Sequence, residues 1–294
     1  ARDETPQING VSHFLEHMVF KGTEKLSALQ VNEAFDKTGA QFNAFTSEEN
    51  TVFYAAVLPE YLEEVTRLWS QLMRPSLRDD DFNIEKNVIK EEIAMYQDMP
   101  NFDVMDRCKN LFFDSHPCGN SVLGSVESIN AMTAQQMRDY FAKRYSPNNI
   151  NVAITGNFDF EQICRTIEDG CGSWQKQNVT REISYTKGVT KKQTIEKNNL
   201  QQNHICLISP AVSAQDPARF AFRLLATIVG DDTGSRFFWE LVDKALAETA
   251  IMLLEDMDGT GVLYTYIGCS PENTEKVLKI IKNIFTELAE KGIT

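Results

Sequence analysis

The sequence predicts an α+β protein made of two related halves. Helical and extended segments are both frequent along its 294 residues, of which 42% are hydrophobic, enough for two separate cores. A strand that runs into a proline and then a helix occurs twice, at residues 52–59 and 262–271. A polar stretch without a sustained apolar period separates the two copies. We therefore expect a first domain at residues 1–175, a linker at 176–193 and a second domain at 194–294.

The predicted first half contains a hairpin surrounded by helices. Its first helix has Asn9 as the expected N-cap and Gly22 at the position of a C-terminal stop. Ser27 begins a capping box for a second helix, which Gly39 is expected to end. Residues 40–57 indicate a pair of strands. The remaining predicted elements are helices that begin at Pro59, near Asp79, after Pro100, at Thr133 and after Asp159, and a strand at 149–155.

The predicted second half repeats strands and helices. Turn residues and apolar periodicity divide it into segments. These are a strand at 205–209, helices at 217–229 and from 235 to about 249, a strand at 262–269 and a last helix that Pro271 opens.

Charge and composition narrow the class of protein. With 42 acidic and 29 basic residues the chain carries a net charge of −13, which argues against nucleic-acid binding. No apolar run approaches the roughly 20 residues that a membrane span requires. The six cysteines form no C-x-x-C pair and suit reduced, buried thiols. The best single location is the bacterial cytoplasm, with the periplasm and the mitochondrion left open.

The strongest functional signal is His13-x-x-Glu16-His17. Positions i, i+3 and i+4 share one side of a helix, so the three side chains point the same way. Two histidines one turn apart can share a metal ion, and a carboxylate beside them can take a proton from metal-bound water. The order is that of the inverzincins. Only four histidines occur in the chain, and two have this spacing. A metal site is therefore favoured over an amphipathic helix with surface histidines.

The segment HFLEHMVFKGT at residues 13–23 resembles the active-site helix of the pitrilysin/insulinase family of zinc peptidases, and most closely its mitochondrial-processing-peptidase-like branch. The third metal ligand of that family is a glutamate some 75 residues further on, with another glutamate seven residues before it. Glu92 and Glu85 stand at those places here, two helical turns apart on one face, whereas Glu91 points elsewhere. The resemblance implies that His13, His17 and Glu92 bind Zn²⁺ and that Glu85 is an orienting carboxylate.

The resemblance also implies a fold and a reaction. Family members have two related half-domains, each a mostly antiparallel sheet covered by helices, that face each other across a cleft. Glu16 would activate zinc-bound water for the hydrolysis of peptides or unstructured protein segments. Substrate would add as a strand beside Asn43, Ala44 and Phe45, although an ordinary edge strand explains this segment equally well. His116 lies in a His-Pro loop that the family also has and that does not bind the metal.

One part of the family pattern is missing. Active two-half members often carry Arg-x6-Tyr in the second half, where this chain has Val242 and Thr249. The expected partners are therefore a peptide substrate and either a related second chain that supplies the missing groups, in a heterodimer, or a second copy of this chain, in a homodimer. The alternative functions are a metal-binding but non-catalytic subunit of a family complex, and a zinc-dependent binding module. Because family members begin and end with further segments, the chain is also expected to be truncated at both ends.

Overall fold

A computed structural model describes residues 1–198 and 200–293 and divides the chain into two compact units. The first unit comprises residues 1–94 and 120–182, and the second comprises residues 95–119 and 183–294. Helices and antiparallel strands make up both units, which confirms the α+β prediction.

The first unit holds a two-stranded sheet and most of the helices. Strands β1 and β2 pair antiparallel, with Asn43 opposite Tyr54 and Thr46 opposite Thr51. The elements of this unit are α1 (Val11–Val19), α2 (Ala28–Thr38), β1 (Gln41–Thr46), β2 (Thr51–Ala56), α3 (Leu62–Leu72), α4 (Asp79–Asp98, whose last turn belongs to the second unit), α6 (Val126–Ala131), α7 (Ala134–Arg144) and α8 (Phe160–Cys171). The predicted capping boxes at Ser27 and Thr133 are both present.

Helix α1 lies at the centre of the first unit. Seven of its nine residues are buried, and its apolar side chains belong to two different core clusters. One cluster joins α1 to α4, where Phe14 stacks on Phe82 with ring centroids 4.6 Å apart. The other cluster joins Val19, at the end of α1, to α2 and α3. A helix held on several sides has little freedom to rotate, so the direction of its polar side chains is fixed.

The second unit is built on a three-stranded antiparallel sheet. The strand order is β3-β5-β4, with β5 in the middle. One cluster of buried side chains packs α9 and α10 against one face of the sheet, and a second cluster packs α5 against the other face. The elements of this unit are α5 (Pro100–Phe113), β3 (Asn203–Pro210), α9 (Arg219–Gly230), β4 (Thr249–Met257), β5 (Thr260–Cys269) and α10 (Thr274–Lys291).

The boundaries of the two compact units differ from those of the predicted domains. Residues 95–119, which the sequence places in the first domain, group with the second unit because α5 packs against β3. The boundary between the units falls at residues 182 and 183, inside the predicted linker.

One predicted helix is too long, one predicted strand is not formed, and one strand escaped prediction. The helix predicted from residue 235 to about 249 is helical only at residues 236–242, where it ends in a π-helical turn, and Thr249 is the first residue of β4. The missed strand β4 pairs with β5 through a two-residue turn, Asp258-Gly259, in which Gly259 has a φ of 73°. Residues 149–155 form no strand among the described residues, since no neighbouring strand pairs with them.

Across the described part of the chain, every helix is too short or too polar to cross a lipid bilayer.

Candidate metal centre

Helix α1 begins directly after Gly10, and its N-terminus is capped by a side chain from an earlier part of the chain. Gly10 has a φ of 92°, and a side chain there would meet the Leu123 carbonyl oxygen at 2.6 Å, so glycine is required. The predicted N-cap, Asn9, is wrong: the Glu4 carboxylate accepts from the N–H groups of Gly10 at 2.7 Å and Ser12 at 2.8 Å. A carboxylate at this position also interacts favourably with the helix dipole. Glu4 therefore fixes the start of the helix that carries the two histidines.

The two histidines lie one turn apart and meet α4. His13 is buried and His17 is half-buried, with ring centroids 4.7 Å apart. Helix α4 presents Glu85 and Glu92 to them, whereas Glu91 is exposed and belongs to no metal-binding group among the described residues. The buried residues Phe82, Ile89 and Ile93 pack α4 on α1 and set this register.

Three side chains converge on one point. Glu92 Oε2 lies 3.6 Å from His13 Nε2 and 3.4 Å from His17 Nε2, and the three groups offer ligand atoms that all lie within 4.8 Å of one another. These separations exceed the roughly 2.9 Å of a good N–H···O hydrogen bond. They are close to the roughly 3.4 Å between neighbouring ligand atoms in tetrahedral zinc coordination. Glu92 Oε2 is buried and makes no well-formed hydrogen bond among the described residues. Two imidazole nitrogens and a carboxylate oxygen are a donor set that suits zinc.

Two charged residues, Glu85 and then Lys21, are linked in series to Nδ1 of His17. Its Nδ1 lies 2.8 Å from Glu85 Oε1, and the other oxygen of Glu85 lies 2.5 Å from Lys21 Nζ. Because a carboxylate only accepts hydrogen bonds, the proton sits on Nδ1 of His17 and Nε2 faces Glu92. Glu85 is buried, so Lys21 balances a carboxylate that would otherwise be costly to bury.

The electrostatics differ between the two histidines in the absence of a metal. Burial lowers the pKa of His13 to about 4, and the neighbouring His17 adds to that shift. Burial also acts to lower the pKa of His17, but its pairing with Glu85 and Glu92 outweighs burial and raises that pKa to about 9. The His17 ring in turn lowers the pKa of Glu92. In the absence of a metal, the positively charged ring of His17 thus lies between the carboxylates of Glu85 and Glu92. A metal ion would be attracted to the same place.

Glu16 projects from the same turn of α1 toward β1. Its Oε2 accepts a hydrogen bond of 2.5 Å from Thr46 Oγ1. Burial raises the pKa of Glu16, although the bond from Thr46 opposes the shift. Glu16 is not part of the group formed by His13, His17 and Glu92. It is therefore a carboxylate held beside the centre with one oxygen left for another partner.

Strand β1 brings the three predicted substrate-binding residues to the surface. Asn43 and Phe45 are exposed and Ala44 is half-buried. The backbone N–H of Ala44 donates to Asn43 Oδ1 at 2.8 Å, so it does not point into the ladder with β2. Among the described strands β1 pairs only with β2, which leaves its other edge unpaired.

The remaining sequence candidates lie in the second unit. His116 Nε2 lies 2.8 Å from Ser184 Oγ, and its Nδ1 accepts from the Cys118 N–H. Val242 packs against an apolar cluster at the end of a helical turn, and Thr249 begins β4.

Sequence reasoning missed three residues that shape the centre. Glu4 caps α1, Lys21 pairs with Glu85, and Thr46 holds Glu16. Lys21 lies one helical turn beyond His17, which is a spacing that could have suggested it. The contacts of Glu4 and Thr46 depend on the tertiary fold, and no local pattern in the sequence predicts them.

Comparisons with known proteins place the chain in a peptidase family. Residues 1–126 match the family model described as Insulinase (Peptidase family M16), and residues 131–294 match that of the Peptidase M16 inactive domain. The two matches divide the chain between residues 126 and 131, earlier than the predicted linker.

Individual relatives extend over the whole chain. It is 32% identical to an uncharacterised zinc protease of Streptomyces coelicolor, covering 100% of this chain and 66% of the relative, and 31% identical to the zinc protease YmxG of Bacillus subtilis, covering 100% and 72%. The chain thus spans about two thirds of the length of these relatives. A protease structure from Helicobacter pylori has the same fold, with a TM-score of 0.91 at 23% identity over 100% of this chain and 73% of that one. The chain belongs to the insulinase family of peptidases, the M16 family that includes the pitrilysin-like zinc proteases.

Proposed function

We propose that this protein is a zinc metalloendopeptidase that hydrolyses peptides or unstructured protein segments. The observation that carries the proposal is the convergence of His13, His17 and Glu92 within 4.8 Å, with Glu16 on the same turn of α1 but outside this group. Three protein ligands leave a further position for water or substrate, which is the arrangement of catalytic rather than structural zinc sites.

In this proposal, Glu85 and Lys21 orient one of the three zinc ligands. His13 Nε2, His17 Nε2 and Glu92 Oε2 would bind Zn²⁺, and Glu85 fixes the His17 ring through Nδ1. When bound, zinc lowers the pKa of water toward neutrality and polarises the scissile carbonyl. Lys21 holds the second oxygen of Glu85 and so keeps the orienting carboxylate in place.

Glu16 acts as the general base. Its carboxylate accepts a proton from the attacking water on the oxygen that does not bond to Thr46, and returns that proton to the leaving amine. The raised pKa of Glu16 suits a group that must both take and give a proton.

Substrate binds as an added strand along the free edge of β1. The Ala44 N–H points away from β2 and donates to Asn43 Oδ1, and in this proposal a substrate carbonyl replaces that acceptor. Phe45 and Asn43 are exposed beside it, and their side chains can contact the substrate.

A related second chain completes the site in a heterodimer, because a second copy of this chain would carry the same Val242 and Thr249. The support is chemical: Val242 offers no polar group, and Thr249 has only a short hydroxyl, where active relatives of this architecture carry Arg and Tyr. Removal of an oxyanion donor typically costs about 10²–10³ in kcat. The protein alone is therefore expected to turn over peptides slowly. We further propose a place in the mitochondrial-processing-peptidase-like branch and a location in the bacterial cytoplasm, in line with the bacterial relatives.

A non-catalytic subunit that binds metal is the second candidate, which the match of residues 131–294 to a domain described as inactive favours. Metal analysis and peptide hydrolysis separate the two. We expect one zinc per chain in the wild type and in the control Glu91→Gln, and loss of zinc in His13→Ala, His17→Ala and Glu92→Gln. Full zinc in Glu92→Gln together with loss in Glu91→Gln would show that the register of α4 has been assigned wrongly.

Hydrolysis is measured on unstructured peptides with the protein alone and with a related second chain. Turnover that needs zinc and Glu16 supports the peptidase. Zinc binding without turnover in either assembly would establish the non-catalytic subunit instead. Ordinary peptidase rates from the lone protein would rule out the shared site.

A further inference from the structure

A line of two hydroxyl groups leads from the hairpin to Glu16. Thr46 and Thr51 are directly opposite each other in the β1–β2 ladder, and their Oγ1 atoms lie 3.1 Å apart. Thr46 Oγ1 also lies 2.5 Å from Glu16 Oε2. Both threonines are half-buried, on the side of the hairpin that turns away from the exposed Asn43 and Phe45. The hydroxyl of Thr46 is therefore shared between a strand partner and the carboxylate on α1.

The direction of these hydrogen bonds follows from the donors available. An ionised carboxylate accepts only, so the single hydroxyl proton of Thr46 must go to Glu16. Thr46 Oγ1 can then only accept from Thr51, whose hydroxyl is the donor of the 3.1 Å contact. Each bond polarises the next, because a hydroxyl that accepts becomes a better donor. One oxygen of Glu16 is committed to Thr46, and only the other is free.

We propose that Thr46 is a positioning residue that fixes the carboxylate of Glu16, with Thr51 as its supporting donor. The inference rests on the proposed function, in which Glu16 is the general base. A glutamate has three side-chain torsions, and a hydrogen bond at Oε2 selects one orientation of the carboxylate plane. In the proposed function, Oε1 is then the oxygen that meets the reacting water.

The position of Thr46 in the chain gives this contact a second consequence. Thr46 is the last residue of β1, two residues after Ala44, whose N–H is the proposed substrate donor. A strand is stiff over so short a distance, and an antiparallel partner fixes its register. The same strand therefore sets the position of the peptide backbone and the orientation of the base. A displacement of about 1 Å between such groups can cost about 10²-fold in rate.

The test compares Thr46→Val with Thr46→Ser in the assembly in which the wild type hydrolyses peptide. Valine has nearly the same shape as threonine and keeps the β-branched form that suits a strand, but it lacks the hydroxyl. We expect kcat to fall about 10–100-fold in Thr46→Val, with KM within about twofold of the wild type. Serine keeps the hydroxyl and should restore kcat to within about threefold. Thr51→Val, which removes the supporting donor, should lower kcat by a smaller factor of about two to five.

Two further measurements do not depend on turnover. Zinc content should be unchanged in Thr46→Val, because none of the three ligands bonds to Thr46. A crystal structure of Thr46→Val should show the Glu16 carboxylate in a different rotamer. An unmoved carboxylate would overturn the proposal, even if the wild type proved to hydrolyse no peptide and the peptidase assignment failed separately.

A double-mutant cycle identifies the route of the effect. If Thr46 acts through Glu16, Thr46→Val has no further effect on the residual rate of Glu16→Gln. An equal loss in both backgrounds would show that Thr46 acts by another path. A Thr46→Val enzyme with higher KM and unchanged kcat would assign the residue to substrate binding instead, and would also overturn the proposal.

Discussion

Strands β1 and β5 show how the two units use a sheet differently. Along β1, exposed and half-buried residues alternate, and the strand has one partner. All ten residues of β5 are buried, because β5 lies between two strands and has an apolar cluster on each face. Burial on both faces leaves β5 no surface for a ligand. The difference indicates that β5 contributes stability, whereas β1 keeps an exposed edge and face, as the proposed substrate strand requires.

The two units nevertheless share a local pattern. β2 leads through Pro59 into α3, and β5 leads through Pro271 into α10, with a short 3₁₀ turn at each proline. The metal-binding group found among the described residues lies wholly in the first unit. The repeated strand–proline–helix pattern is therefore scaffold, and the residues of the proposed metal site come from α1 and α4 in one copy only.

The largest expected effect is on catalysis in the first unit. Glu16→Gln should keep its zinc, because an amide replaces the carboxylate without disturbing His13 or His17. Its kcat should fall by a factor of about 10²–10⁴, which is the usual contribution of a general base. Steady-state kinetics and metal analysis on the active assembly check both statements, with Glu248→Gln in the second unit as control. Near-native turnover in Glu16→Gln would remove Glu16 from the mechanism.

The next effect is on stability and compares β5 with β1 directly. Ile267 is fully buried on β5, so Ile267→Ala should lower the free energy of unfolding by about 2–5 kcal/mol. Phe45 on β1 is 51% exposed, and Phe45→Ala should change it by less than about 0.5 kcal/mol. Urea unfolding followed by circular dichroism measures both. Equal losses would contradict the division into a structural strand and a binding strand.

A smaller effect is expected on zinc affinity. Glu85→Gln weakens the acceptor at His17 Nδ1 and leaves Lys21 without its carboxylate, so affinity should fall about 10–100-fold. Lys21→Met should lower affinity in the same direction by a smaller factor, since Glu85 can still accept from His17. Competition with a chromogenic chelator gives both constants, and Lys25→Met is the control. Wild-type affinity in both variants would mean that the Glu85–Lys21 pair does not support the ligand set.

The smallest effect concerns the free edge of β1. Ala44→Pro removes the N–H that faces Asn43, and KM should rise by about 5–10-fold, the value of one hydrogen bond, with zinc retained. N–H directions alternate along a strand, so the Phe45 N–H points toward β2 instead. Phe45→Pro should therefore destabilise the hairpin. An unchanged KM in Ala44→Pro would show that substrate binds elsewhere.

Much of the centre followed from local periodicity. The spacing of His13, Glu16 and His17 places them on one side of any helix, and a spacing of seven does the same for Glu85 and Glu92. The capping boxes at Ser27 and Thr133 depend on side chains three residues apart, and both are present in the structure. The sequence could predict these features because every contact they need lies within one or two helical turns.

Local signals failed where long-range pairing decides the outcome. The run from Ala250 to Leu254 suits a helix by composition. Because it can pair with β5, this run forms part of strand β4 instead. The Asp258-Gly259 turn was a signal for that hairpin. Residues 149–155 have strand composition but no partner among the described strands, so Asn149 ends a 3₁₀ turn and residues 150–155 stay irregular.

The sequence by itself determined which residue types stand at which helical spacing, and with the family resemblance it named the set His13, Glu16, His17, Glu85 and Glu92. Tertiary structure alone decided that α4 meets α1 in the register that brings Glu92 within 3.4 Å of His17, since the packing of Phe14 on Phe82 sets that register. It also decided that Glu4 caps α1, that Lys21 pairs with Glu85 and that Thr46 reaches Glu16. The physical reason is range: helical periodicity acts over a few residues, whereas these contacts depend on how separate elements pack.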